Sequence, residues 1–116
     1  MQDNVLKSIK KVLGLGEDYT PFDPDIIMFI NAAFTNLEQL GVGSKVGYTI
    51  GDDEALAWSD LGLPQKQLNQ VKTYIYLKAR ALFDPPTTSF SIEAMEKQIE
   101  QLEWRLTNMR EEEQPA

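Results

Sequence analysis

Three stretches of this 116-residue chain hold residue types that could do chemistry. Gly41-Val42-Gly43-Ser44-Lys45-Val46-Gly47 has the glycines and the Ser-Lys pair of a phosphate-cradling loop. Such loops follow a strand and open a helix, where free backbone N–H groups converge on the anion. Here the glycines follow a helical pattern, and the order GK[ST] is not met. The stretch reads as a helix stop followed by a loop. Asp52-Asp53-Glu54 offers three consecutive carboxylates but lacks the alternate spacing and the downstream Glu of a calcium loop, so it reads as a solvated turn. Asp23 and Asp25 could pass for a general acid and base, yet they flank Pro24 at the start of an apolar periodic run, where capping accounts for both. There is no GxSxG elbow. Histidine and cysteine are absent, which removes the commonest base near neutral pH, the commonest metal ligands, and any disulfide framework. The expectation is a protein that is not an enzyme, with no catalytic residue, cofactor or metal.

What must position any functional residue is a set of helices around residues 65–83. In QKQLNQVKTYIYLKARALF, Leu68, Val71, Ile75, Ala79 and Leu82 recur at spacings of three and four, and Tyr74, Tyr76, Leu77, Ala81 and Phe83 broaden that stripe. This spacing predicts a central helix, with Pro64 suited to its first position and Asp84-Pro85-Pro86 ending it. Residues 4–13 place Val5, Leu6, Ile9, Val12 and Leu13 on one face. Asp3 is a candidate N-cap, Gly14 a stop, and Lys10 and Lys11 complement the dipole in the last turn. A second helix starts at Asp23-Pro24-Asp25, runs through Ile26, Ile30, Ala33, Phe34, Leu37 and Leu40, and ends at Gly41. Its natural mate is the central helix.

Residues 41–63 break the helical period. Tyr48-Thr49-Ile50 and Ala55 to Trp58 form either a small hairpin around Gly51-Asp52-Asp53, the favoured reading, or an ordered loop. A last helix is expected from about Ile92, with Ser91 as cap and Phe90 stapled to Met95. Its apolar residues Ile92, Met95, Ile99, Leu102, Leu106 and Met109 make a heptad seam. The acidic end, Glu111-Glu112-Glu113, is unfavourable against the helix dipole and should fray. The fold class expected is mainly α: a small bundle of four to five helices with a short β-hairpin at about 46–58. Residues 1–91 would form the core, and 92–116 a projecting helix and tail of the same single domain.

Apolar residues make up 42% and charged residues 25%, ordinary values for a globular chain. The longest apolar run, Ile26 to Ile30, is far short of the roughly 20 residues a membrane span needs, and no stretch reads as a signal peptide. The net charge of −7 is unevenly spread. Residues 17–60 carry nine acids against Lys45, whereas 61–84 carry Lys66, Lys72, Lys78 and Arg80 against Asp84. An acidic balance argues against ordinary DNA binding, which needs cations to displace phosphate counterions. Two unlike surfaces on one chain suit a head-to-tail contact in which Lys72 or Arg80 meets Asp52 or Asp53 of a neighbour.

Trp104 falls at heptad position f, furthest from the seam, with Lys97 one heptad earlier. It either covers the flank of another helix or anchors a partner, since Trp is enriched among interface hot spots. Arg105 and Arg110 complete the cationic residues of that segment. The short N-terminal helix, DPDIIMFINAAFTNLEQLGVG, the WSDL segment, and KTYIYLKARALFDPP followed by an acidic last helix together resemble the small head-tail connector, or adaptor, proteins of long-tailed bacteriophages. The resemblance implies a structural virion protein. It would form a homo-oligomeric ring, dodecameric to match a portal, that joins the portal to the next neck or tail-completion protein and lets DNA pass. It implies location at the head-tail junction after assembly in the host cytoplasm, and no catalytic residue. The alternative is a prophage or bacterial regulatory module that binds proteins through helix-helix contacts.

Overall fold

The computed structural model describes residues 4–42, 50 and 56–113, with the backbone alone for 109–113. Among these residues the architecture is all helical, as the periodicity predicts: α1 (Val5–Val12), α2 (Asp23–Gln39), a 3-10 turn (Trp58–Leu61), α3 (Gln65–Phe83) and α4 (Ser89–Glu113).

Both early helices stop as their glycines predict. Gly14 and Gly41 take left-handed backbone, φ 84° and 80°. In each case the next N–H reaches back across the last turn, Leu15 to the Lys10 carbonyl and Val42 to the Leu37 carbonyl, both at 2.9 Å. This satisfies carbonyls that the helix end leaves free. The starts differ more from expectation. Asn4 caps α1, its Oδ1 accepting the Lys7 N–H at 2.9 Å, while Asp3 lies outside the described residues. Asp23 is the first residue of α2 rather than its cap, and no side chain caps that helix. Pro64 precedes α3 as its cap residue, one position earlier than expected. The last helix opens at Ser89 rather than about Ile92, because Thr88 and not Ser91 supplies the capping oxygen, accepting the Ser91 N–H at 3.1 Å. Phe90 therefore sits in the first turn, 82% exposed, and is not stapled to Met95.

The core gathers around α3, which packs against each of the other three helices. Val71, Tyr74, Ile75 and Ala79 are fully buried there, against Ile26, Ile30, Ala33, Phe34 and Leu37 of α2 and Val5, Leu6 and Ile9 of α1. Leu82, placed on the buried stripe by its spacing, is 56% exposed and lines an open groove between α3 and α4. α4 lies antiparallel to α3: Tyr74 reaches Glu103, while Leu82 near the end of α3 shares a groove with Glu96. Its seam residues Met95, Leu102 and Leu106 are buried, Ile99 is half-buried, and Ile92 at the start is 39% exposed.

Of the hairpin expected at 46–58, residues 46–49 and 51–55 lie outside the described residues. The remainder pairs elsewhere. Ala57 forms an isolated antiparallel bridge with Asn4, and the Val5 N–H donates to the Leu56 carbonyl at 3.0 Å. Trp58, read as the end of a strand, instead opens the 3-10 turn. That turn is held by the Asp60 carboxylate, which accepts the Ala57 N–H at 2.9 Å, and closed by left-handed Gly62. Ile50 is pinned to α2 through Asn31, whose amide accepts the Ile50 N–H at 2.8 Å and donates to its carbonyl at 3.3 Å.

Candidate interaction site

The outer face of α4 is set by what its inner face buries. With Met95, Leu102 and Leu106 turned to α3, Trp104 points away and is 70% exposed, with Lys97 and Arg105 also exposed. The rotation of the helix is held by a polar contact beside the tryptophan: the Tyr74 hydroxyl donates to Glu103 Oε2 at 2.8 Å. Burial and the Glu103 carboxylate push the Tyr74 phenol well above its ordinary range, so it stays a donor. For Arg110 the backbone alone is described, at the end of the same helix.

The two α3 cations expected to face a neighbour are both partly engaged within their own chain. Lys72 Nζ stands 5.4 Å from the centroid of the Trp58 ring, a cation over an aromatic face. Arg80 Nη1 donates to the Tyr76 hydroxyl at 3.4 Å. Both remain half-buried rather than covered. Asp52 and Asp53 lie outside the described residues, so the structure brings neither to these cations.

Trp58 organises a node that the sequence reading missed. It is 2% exposed, and its Nε1–H donates to Ser8 Oγ at 3.1 Å, tying the 3-10 turn to α1. Ser8, Ile9, Lys11 and Val12 of α1 and Lys72 and Tyr76 of α3 surround it and form a groove of about 440 Å³. A second missed feature is Lys10, 1% exposed, which reaches Asp23 Oδ1 at 3.0 Å and donates to the Glu17 carbonyl at 2.9 Å. Asp23 Oδ1 makes no well-directed hydrogen bond, so its compensation in the interior is chiefly the charge of that ammonium. The signal for Lys10 was in the sequence: it lies four residues after Leu6 and three before Leu13, on the apolar stripe rather than beside it.

Among the described residues no three carboxylates come together as a metal cage, and no helix is long and apolar enough to cross a membrane. Asp23 and Asp25, the one candidate acid pair that is described, are separated by burial: Asp23 faces Lys10 and Asp25 is exposed. What the surface offers is contact, in the form of an exposed tryptophan, an exposed phenylalanine and an open groove.

Comparison with known proteins gives no match among curated proteins or solved structures. A family model described as phage connector protein does match, over residues 5–113. Because that match runs from the first turn of α1 to the last turn of α4 and takes in the whole helical core, this chain belongs to the phage connector protein family.

Proposed function

We propose that this protein is a structural head-tail connector of a bacteriophage particle, assembling as a ring that joins the portal to the neck or tail and lets DNA pass. The observation that carries the reading is the family match across all four helices. The surface is consistent with it. Exposed large apolar side chains, Trp104 and Phe90 foremost, suit a subunit that completes its burial in an assembly. The net charge of −7 suits a ring that lets duplex DNA slide past without holding it.

In this reading residues 97–116, with Lys97, Trp104, Arg105 and Arg110, make the main contact with the portal, and the 44–58 segment faces the next neck component. The ring is dodecameric to match the portal, and assembly takes place in the host cytoplasm before the protein resides at the head-tail junction of the virion. Lys72 or Arg80 meets Asp52 or Asp53 of a neighbouring subunit, so association weakens as salt rises.

A reconstruction of the phage neck tests the whole assignment. The expected result is a closed ring of this chain beneath the portal with Trp104 buried against another protein. A neck without this chain, or Trp104 touched by no other chain, would overturn it. Duplex binding at physiological salt would count against free passage of DNA.

A further inference from the structure

One subunit carries two unlike surfaces, a groove lined by cations and, elsewhere, an exposed apolar corner with acids. The first is the groove between α1, the 3-10 turn and α3. Its accessible apolar wall is Val12 and Tyr76, with the buried Ile9 and Trp58 behind them, and Val12 is 51% exposed although it belongs to the apolar face of its helix. Its charged lining residues are Lys11 and Lys72, with no acid among the residues that line it. Lys11 is exposed, and the Lys72 ammonium stands over the indole.

The second surface is the corner where α3 turns into α4. Leu82 is 56% exposed, Phe90 82% and Ile92 39%, so three large apolar side chains face solvent around one short connection. Residues 82–93 carry Asp84 and Glu93 and no base, and both carboxylates are exposed. Two prolines, Pro85 and Pro86, stiffen the connection, so little conformational freedom remains to be lost when it docks.

We infer that the Phe90 corner of one copy docks in the α1–α3 groove of the next, with Phe90 against Val12 and Tyr76, and with Asp84 and Glu93 facing Lys11 and Lys72. Size permits it. An apolar cavity of about 150 Å³ already holds a benzene ring, and the groove measures about 440 Å³, with room for the phenyl group and a neighbouring side chain. Charge favours it, because an acidic corner and a basic groove attract while corner against corner or groove against groove would repel. Geometry gives it a consequence. A knob and a hole on the same subunit make a heterologous contact, which continues from copy to copy and forms a ring where the rotation closes. The inference rests on the ring assembly proposed above and assigns its subunit contact. It leaves the Trp104 region of α4 free for a different partner.

The chain has no cysteine, so single cysteines can be placed at will. Phe90→Cys and Val12→Cys variants, mixed and treated with a short bismaleimide, should yield a dimer that contains one of each chain. A mixture of Phe90→Cys with Glu38→Cys, an exposed site on α2, should not. Without cross-linker, Phe90→Ala and Lys11→Glu should each weaken self-association at least tenfold in sedimentation, and adding Glu93→Lys to Lys11→Glu should restore much of the loss. Failure of the Phe90–Val12 cross-link at millimolar chain overturns this contact whatever assemblies form. Assemblies that persist unchanged in Phe90→Ala and Lys11→Glu overturn it too and leave the ring standing, while the ring itself is judged separately by particle size and by the neck reconstruction.

Discussion

Lys10 Nζ and Asp23 Oδ1 meet at 3.0 Å with their side chains only 2% and 10% exposed, joining the last turn of α1 to the first residue of α2. A pair this deep is compensated only while both charges are present. Lys10→Met alone should therefore destabilise by about 3–5 kcal/mol, because it strands a buried carboxylate. Lys10→Met combined with Asp23→Leu should recover most of that loss, since two apolar groups leave no uncompensated charge. Urea denaturation of the two variants and the parent checks the order.

Ile75 lies at the centre of α3 and is fully buried. Ile75→Asp places an unpaired carboxylate there, at a cost of several kcal/mol against a total stability of about 5–15 kcal/mol. The variant should be largely unfolded at room temperature by circular dichroism. A melt like the parent's would remove α3 from its central role.

The Tyr74 phenol, raised by burial and by Glu103, should make stability depend on alkaline pH. Its folded pKa lies above the ordinary 10.0, so the contribution is fully present below pH 10. It is lost as pH rises beyond that value, because the unfolded chain then releases a proton that the folded one retains. The parent should lose stability as pH rises above 10, and Tyr74→Phe should lose less over the same range. At neutral pH, Tyr74→Phe should cost about 1.5–3 kcal/mol, the range for a hydrogen bond to a charged group. Urea midpoints across the pH series measure both effects.

Trp104 contributes little to its own subunit, being 70% exposed. Trp104→Ala should leave the melting temperature close to the parent's yet weaken portal binding by about 2 kcal/mol or more, the scale of hot-spot tryptophans. Calorimetric titration against the isolated portal, with a parallel melt, separates binding from folding. Unchanged affinity would overturn the portal contact proposed for residues 97–116.

The helices and their order were legible from residues alone because periodicity and punctuation are local. Val71, Ile75 and Ala79 recur at helical spacing whatever they pack against, and Gly14 and Gly41 stop their helices because the backbone there must turn left-handed. The outward aim of Trp104 was legible for the same reason. Once Leu102 and Leu106 define the seam, position 104 can only point away.

Local context misjudged residues whose role depends on what lies across from them. Lys10 reads as a last-turn base until the fold brings Asp23 to it, and Trp58 reads as part of a strand until Ser8, 50 residues earlier, accepts its indole N–H. Leu82 stands at a core spacing and Phe90 at a staple position, and both are exposed all the same, because among the described residues neither meets an apolar partner that covers it. Spacing along a helix tells which residues share a face. Whether that face meets water, a helix or an opposite charge is decided only when segments distant in the chain pack together, and so the groove beside Trp58 became visible in the tertiary structure alone.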